Sequence, residues 1–329
     1  MAPLVESFHR FDVVLDHSDH HYSNTDGNGN SFTYCGSTVY KKIMREWKIL
    51  SKHLPDSTYV RVYNTRIDLL RAVIVGAAST PYHDGLFFFD IKFPSNYPYQ
   101  PPQVHYHSHG LRLNPNLYEN GKVCLSLLNT WSGKKKEMWD PNQSTILQVL
   151  VSIQGLVLNE KPFYNEPFRL RLFQEENSRR YNEDAFIKTC KTTLYLLQKP
   201  PKNFELFTAD HFRQRANRIL RACNAYTNSR VGVGHYRDDN ENETKDDTKV
   251  KDSAISVHPV STTFIDSMEQ LYPKLVVVFR WYKASNLVEH LNLENVTTPR
   301  GAAGMLCRPY CLLLCCALVA LICYFMFRA

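Results

Sequence analysis

Three strand-like segments between residues 57 and 93 limit the folds that are open to this chain. They read STYVRVYN, LLRAVIVGA and GLFFFDIKF, and β-branched and aromatic residues dominate all three. Turn-forming stretches such as TPYHDG separate them, which predicts an antiparallel meander. Four prolines in PSNYPYQPP then interrupt the chain before a last short strand predicted over Gln103–His107.

Helical patterns precede and follow these segments. Ser37 is the predicted N-cap of a helix that ends before Pro55. The apolar residues of this helix recur every three or four positions: Val39, Ile43, Trp47, Leu50 and Leu54. Ser144 is the predicted N-cap of a second helix, and further helical patterns cover residues 181–197 and 204–226. Helices on either side of a block of strands are typical of an α+β fold with a segregated sheet.

Changes in composition predict the domain organisation. Residues 1–37 contain a polar, Gly- and Asn-rich stretch and are predicted to form a disordered N-terminal arm. A core domain over residues 38–200 is followed by a helical extension over 201–236. Residues 237–256 include RDDNENETKDDTKVKD, whose only apolar residue is a valine, and are predicted to form a disordered linker. A short helical segment is expected over 257–299.

The end of the chain carries a long apolar run. Tyr310–Phe327 holds eighteen residues without a charge, and as a helix it would span ~27 Å, close to the ~30 Å of a bilayer core. Residues 305–327 are therefore predicted to form a transmembrane anchor that inserts in an intracellular membrane and leaves the rest of the chain in the cytoplasm. A buried C-terminal helix is the alternative interpretation.

Charge and cysteine content exclude several classes of protein. The net charge is +7, but the lysines and arginines are scattered and form no long basic stripe, which argues against nucleic-acid binding. Five of the nine cysteines lie in the last 23 residues, and the others show no Cys-x-x-Cys spacing. The sequence therefore predicts neither a disulfide framework nor a zinc knuckle. The first residues do not resemble a secretory signal, so a reducing, cytosolic setting is expected.

The stretch RLNPNLYENGKVCLSLLNTW contains a single cysteine, Cys124, eight residues after Asn116. Together with NEKPFYNEP downstream and TPYHDGLFFFDIKFPSNYPYQPP upstream, it resembles the catalytic segment of ubiquitin-conjugating enzymes, most closely their large plant and animal members. The resemblance covers Val39–Pro200. It implies the fold of that family, a four-stranded antiparallel meander flanked by helices, here with a C-terminal helical extension.

The resemblance also implies roles for three residues. Cys124 matches the cysteine that accepts ubiquitin from a ubiquitin-activating enzyme as a thioester and passes it to a lysine of a protein substrate, without a metal or organic cofactor. Asn116 matches the asparagine whose amide supports either the oxyanion or the site loop. Glu166 falls where the family often has an acidic residue near the acceptor lysine. The structural alternatives are a buried core thiol, a turn residue and a solvent-exposed loop residue.

Two further sets of residues are expected to meet partners. The resemblance places Tyr99, Trp131 and Ser132 on the loops that usually contact a ubiquitin ligase, although Gly133 replaces the common proline. The first helix carries a basic face that includes Lys41, Lys42 and Arg45. This face is expected to contribute to ligase binding as a docking surface for an acidic partner, and the alternative is an ordinary solvated surface.

Other functions receive less support from the sequence. His105, His107 and His109 alternate along an extended segment, but no carboxylate or cysteine at ligand spacing joins them, so no metal site is predicted. A cysteine hydrolase is disfavoured because its nucleophile normally begins a helix. The main alternative is a catalytically inactive relative that binds ubiquitin or a ligase as a scaffold.

Overall fold

Five strands form one mixed sheet in the computed structural model, which describes residues 8–25, 32, 34–166, 174–237 and 259–284. The strands lie side by side in chain order: β1 (Phe11–Val14), β2 (Thr58–Tyr63), β3 (Leu69–Val75), β4 (Leu86–Lys92) and β5 (Gln103–Tyr106). Strands β2 to β5 are antiparallel, as the sequence predicts, whereas β1 pairs parallel to β2. The α+β fold is confirmed, with one strand more than the predicted four.

The additional strand corrects the prediction that residues 1–37 form a disordered arm. Phe11 pairs with Val60, and the amide of Val60 donates to the carbonyl of Arg10 over 2.6 Å. Farther along, Asp16 lies 2.7 Å from the ammonium group of Lys202. The polar residues of this segment are thus paired with groups distant in sequence, and local periodicity contains no signal for such pairing. Prediction and structure disagree for residues 8–25.

Five α-helices accompany the sheet in the described residues. They are α1 (Thr38–His53), α2 (Ile146–Ser152), α3 (Gln174–Gln198), α4 (Glu205–Thr227) and α5 (Thr262–Phe279). Ser37 caps α1 as predicted, because its hydroxyl accepts from the amide of Tyr40 over 3.0 Å. The cap of α2 is Thr145 and not Ser144, whose hydroxyl accepts instead from the amide of Asp140 over 2.9 Å.

Both faces of the central strands β2 to β4 are buried. On one face the cross-strand row Val60, Ala72, Phe89 and Tyr106 belongs to a core that also contains residues of α1 and α2. On the other face Val73 and Phe88 belong to a second core, which includes residues of α3, α4 and α5. Because β-strand side chains alternate between faces, a single register serves both cores. The predicted helical extension therefore packs on the sheet.

A buried carboxylate connects α1 with the proline-rich loop and with α2. Glu46 is completely buried, accepts from the hydroxyl of Tyr97 over 2.9 Å, and accepts from the amide of Ile146 over 3.0 Å. Burial raises the pKa of Glu46, and these hydrogen bonds act in the opposite direction. This contact fixes α1 relative to the proline-rich loop and the start of α2.

Two of the predicted segments lie outside the residues that the structure describes. The linker over 237–256, apart from Arg237, and the anchor over 305–327 lie beyond the described residues. Among the residues that are described, no helix has both the length and the apolar character needed to cross a membrane. Helix α5 lies inside the predicted segment 257–299.

Candidate active site

A tight turn shapes the segment around Cys124. Leu117 bridges to Val123, and the amide of Tyr118 donates to the carbonyl of Lys122 over 3.0 Å. Gly121 occupies this turn with φ +84°, and a Cβ atom there would lie 2.0 Å from Cε1 of His105. Glycine is required for both reasons, since other residues rarely adopt this φ and the space is already filled. The turn brings the returning chain at Cys124 back beside Asn116.

Asn116 and Cys124 are joined by two hydrogen bonds. The amide of Cys124 donates to the backbone carbonyl of Asn116 over 2.9 Å, and Nδ2 of Asn116 donates to the backbone carbonyl of Cys124, also over 2.9 Å. The two residues predicted from the sequence therefore meet. In this arrangement the side-chain amide of Asn116 supports the backbone of the cysteine.

The Cys124 side chain is nearly covered. The residue is 2% exposed, so a bulky acyl group reaches its sulfur only after neighbouring side chains move. Thr130 holds the backbone on either side of the cysteine: its hydroxyl donates to the carbonyl of Val123 over 2.7 Å and accepts from the amide of Leu125 over 3.0 Å. The backbone on both sides of Cys124 is thus fixed by the hydroxyl of Thr130.

Asn114 is an anchor of the site that sequence reasoning did not assign. It is fully buried, and its Nδ2 atom donates to the hydroxyl of Tyr82 over 2.8 Å and to the carbonyl of Val157 over 2.7 Å. Its Oδ1 atom accepts from the amide of Asn116 over 2.8 Å and from Nδ2 of Asn165 over 3.4 Å. The Asn-Pro-Asn pattern was the available signal, because asparagine side chains commonly bond to the backbone two residues on.

Glu166 lies in the same neighbourhood as Cys124. It directly follows the 3₁₀ turn Pro162–Asn165 and is partly exposed. The charges of both Cys124 and Glu166 act on the hydroxyl of Tyr118 and raise its pKa, after burial as the first cause. The carboxylate of Glu166 is thus close enough to Tyr118 for its charge to act on the pKa of that tyrosine.

Tyr118 itself was missed in the sequence. The guanidinium carbon of Arg112 is 4.6 Å from the centre of the tyrosine ring, and Nζ of Lys122 is 5.8 Å from it. A tyrosine in a turn is common, so nothing in the local pattern distinguished this one.

The predicted ligase-binding residues lie on two connected loops. Tyr99 is 76% exposed, Ser132 is exposed and Trp131 is half-buried. The indole Nε1 of Trp139 donates to the carbonyl of Pro98 over 2.6 Å, so the loop after Cys124 is fastened to the proline-rich loop. Contact of these residues with a ligase stays a prediction.

The predicted basic surface of α1 is open to solvent. Lys41 and Arg45 are exposed, and Lys42 is half-buried with its ammonium group 3.5 Å from the carbonyl of Pro141. Their geometry fits either interpretation of this face, so the docking role also stays a prediction.

The three alternating histidines have separate partners. The ring centres of His105 and His21 are stacked 3.5 Å apart, and those of His109 and Tyr195 are stacked 5.2 Å apart. Nε2 of His107 lies 2.9 Å from Oδ2 of Asp90. Across the described part of the chain, no three histidine, cysteine or acidic side chains are grouped so as to hold a metal ion.

Comparison with known proteins identifies the family. Residues 42–191 match the model of the ubiquitin-conjugating enzyme family. Over 227 residues the chain is 51% identical to the putative ubiquitin-conjugating enzyme E2 38 of Arabidopsis thaliana, an alignment that covers 68% of this chain and 69% of that protein. Over 273 residues it is 50% identical to the probable ubiquitin-conjugating enzyme E2 23 of the same plant, covering 82% of this chain and 24% of that protein.

The extent of these matches differs between relatives. The probable ubiquitin-conjugating enzyme E2 25 of Arabidopsis thaliana is 56% identical over 225 residues, which is 67% of this chain and 36% of that protein. The chain thus spans 24% of the length of E2 23 and 36% of the length of E2 25. At 51% identity over more than two thirds of a relative's length, the chain belongs to the ubiquitin-conjugating enzyme family.

Proposed function

We propose that this protein accepts ubiquitin as a thioester on Cys124 and transfers it to lysine side chains of protein substrates. The observation that carries the proposal is the pair of 2.9 Å hydrogen bonds between Asn116 and Cys124, which fixes a cysteine in the family's catalytic segment beside an amide donor.

The chemistry suits a thiol. In loading, the thiolate of Cys124 attacks the carbonyl carbon of a ubiquitin thioester on the activating enzyme, a new C–S bond forms, and the thiolate of that enzyme leaves. In transfer, a deprotonated lysine attacks the same carbon, the C–S bond breaks, and Cys124 leaves as a thiolate. Thioesters remain reactive toward amines, so both steps proceed without a cofactor.

Two neighbours complete the proposed site. In this proposal Glu166 accepts a hydrogen bond from the incoming lysine, which favours the approach of the amine. Asn116 supports the backbone of Cys124 in the structure, and it reaches a developing oxyanion if its amide exchanges the carbonyl of Cys124 for that oxygen. Tyr99, Trp131 and Ser132 provide the proposed ligase surface, and Lys41, Lys42 and Arg45 provide the surface for an acidic partner.

A charging reaction tests the proposal. Wild-type protein incubated with activating enzyme, ATP and ubiquitin should form an adduct that a thiol reagent removes, and Cys124→Ala should form none. Cys35→Ala is the matched control, because Cys35 is an exposed thiol outside the site, and this variant should charge normally. Absence of any adduct on the wild type with ubiquitin and with a panel of ubiquitin-like modifiers would favour the alternative, an inactive scaffold.

A further inference from the structure

We infer that Asn165 is a positioning residue that fixes Glu166 relative to Cys124 while ubiquitin is transferred to lysine. This inference rests on the proposed function, because it assigns a residue to the transfer step at the same site. It begins from the place of Asn165 in the chain, which is the last position of the 3₁₀ turn Pro162–Asn165 and directly precedes Glu166. Contacts that hold the side chain of Asn165 therefore also restrict the position of Glu166.

The first of these contacts is to the end of a helix. After α2 the chain continues as a π-helical turn over Ile153–Val157, and carbonyls at the end of a helix have no partner within it. Val157 is buried, so its carbonyl needs a hydrogen-bond donor. Two side chains supply one: Nδ2 of Asn114 over 2.7 Å and Nδ2 of Asn165 over 3.0 Å. The segment before Cys124 and the loop that carries Glu166 thus meet at one carbonyl.

The same two asparagines also bond to each other. Nδ2 of Asn165 donates to Oδ1 of Asn114 over 3.4 Å, which closes a ring of hydrogen bonds with the carbonyl of Val157. A side-chain amide has two N–H donors, and both donors of Asn165 point into this ring. Oδ1 of Asn114 also accepts from the amide of Asn116 over 2.8 Å. Because Asn116 bonds twice to Cys124, a continuous path of hydrogen bonds joins Asn165 to the cysteine.

The oxygen of Asn165 is held from the other side. It accepts from Nδ2 of Asn159 over 2.6 Å. Asn159 is itself fixed, because its Nδ2 donates to the carbonyl of Leu156 over 2.8 Å and its Oδ1 accepts from the amide of Lys161 over 3.0 Å. Rotation of the Asn165 side chain would therefore break hydrogen bonds at both ends of its amide.

Other polar side chains of this loop bond to solvent-exposed groups. The hydroxyl of Tyr164 lies 3.5 Å from Oε1 of Glu175, and Nζ of Lys161 lies 3.2 Å from the same oxygen. Tyr164 is 40% exposed, and Lys161 and Glu175 are exposed as well. Exposed contacts of this kind contribute little to fixing a loop. Asn165 differs from them because its hydrogen bonds lead toward Cys124.

The effect of Asn165 should appear at the transfer step. In that step the lysine nitrogen bonds to the thioester carbon, a proton of the amine passes to water, and the sulfur leaves with the electron pair of the C–S bond. The carboxylate of Glu166 assists only within hydrogen-bonding distance of the amine, and a misplacement of about 1 Å costs up to about 100-fold in rate. Loading involves no lysine, so it should not depend on Asn165.

Pulse-chase discharge over a range of free lysine concentrations tests this role in the full chain. Asn165→Ala removes the side-chain amide without adding a charge. It should be charged at the wild-type rate, but its maximal rate of discharge should fall about 10-fold, with the half-maximal lysine concentration unchanged. Tyr164→Phe is the matched control, because it alters the preceding residue of the same turn and removes only the exposed contact with Glu175. This control should discharge normally.

A double variant separates positioning from a general structural role. If Asn165 acts through Glu166, the combination of Asn165→Ala with Glu166→Gln should discharge no more slowly than Glu166→Gln alone. Independent effects would instead multiply. Asn159→Ala is a milder variant, which keeps the ring at Val157 and removes one hydrogen bond to Asn165, and it should show the same pattern with a smaller loss. It decides the question if Asn165→Ala does not fold.

The outcomes distinguish this inference from the proposed function. A wild type that is never charged contradicts the proposed function and, with it, this role of Asn165. Normal charging together with normal discharge of Asn165→Ala contradicts the positioning role alone, and so does a multiplied loss in the double variant. Slow discharge of Asn165→Ala with normal charging and no further loss in the double variant supports it.

Discussion

Arg71 and Asp90 face each other across strands β3 and β4 and form a buried ion pair. Nε of Arg71 lies 2.6 Å from one carboxylate oxygen and Nη2 lies 2.9 Å from the other, and both side chains are fully buried. The second oxygen also accepts from the amide of His21 over 2.7 Å. This carboxylate therefore joins the centre of the sheet to the N-terminal segment.

Loss of this carboxylate should be costly. Burial acts to raise the pKa of Asp90, but His107 and Arg71 hold it well below its ordinary value. In Asp90→Asn the buried guanidinium keeps only Asp19 as a charged partner, at 2.7 Å. We expect the free energy of unfolding to fall by about 3 kcal/mol in urea titrations. The exposed aspartate of the Arg10–Asp56 pair is the control, and a large loss in Asp56→Asn would contradict this account.

The same network should make stability depend on pH. Burial lowers the pKa of His20 to about 4, and the ring bonds to the carbonyl of Leu70 at 3.1 Å. A histidine with a pKa lower in the folded state than in the unfolded state contributes stability that is complete above about 6.5 and is lost as pH falls toward 4. Between pH 6.5 and pH 4 the free energy of unfolding of His20→Gln should therefore fall by up to about 3 kcal/mol less than that of the wild type.

Unfolding titrations at pH 7, 5.5 and 4 measure this difference. His53→Gln, which alters an exposed residue at the end of α1, should follow the wild type at all three values. Parallel curves for wild type and His20→Gln would show that protonation of His20 does not limit stability in acid.

The turn before Cys124 should not tolerate a side chain at Gly121. In Gly121→Ala the added Cβ meets His105 at 2.0 Å and the residue keeps a strained φ, so we expect a loss of about 1 to 3 kcal/mol and slower charging. Gly155→Ala is the matched control, because no atom lies within 4 Å of a Cβ added there. Thermal unfolding and the charging rate measure both variants, and equal behaviour would remove the turn from the account.

Glu166 should act on transfer and not on loading. If its carboxylate assists the incoming lysine, Glu166→Gln lowers the rate of discharge to free lysine by at least about 10-fold, while the charging rate stays unchanged. Pulse-chase discharge of the preformed thioester separates the two steps. Glu160→Gln alters an exposed acidic residue six positions earlier in the chain and should discharge normally. A defect confined to charging would assign Glu166 to partner binding instead.

The sequence predicts those parts of the molecule that depend on local chemistry. The strands β2 to β5 follow from β-branched and aromatic runs between turns, and the cap at Ser37 follows from one hydroxyl before an amphipathic helix. The cap of α2 was misplaced by one residue because Ser144 and Thr145 are both suitable caps, and only the structure shows that Ser144 bonds to Asp140.

Contacts between distant residues could not be predicted in this way. Strand β1 exists because residues near position 12 pair with residues near position 61. Phe11, Val13 and Val14 favour a strand, but a run of four residues is too short to predict the pairing by itself. Tyr118 was overlooked for a related reason, since its position depends on Arg112 and on the returning chain at Lys122. Family resemblance selected Cys124 and Asn116, and the structure adds how the two are held together.

The most direct test of the central claim is the intact mass of the protein after incubation with activating enzyme, ATP and ubiquitin. We predict that the wild type gains the mass of one ubiquitin and loses it on treatment with dithiothreitol. Cys124→Ser should either gain nothing or form an ester that resists the thiol. A thiol-sensitive adduct that persists in Cys124→Ala, or is lost in Cys35→Ala, would contradict the assignment of Cys124.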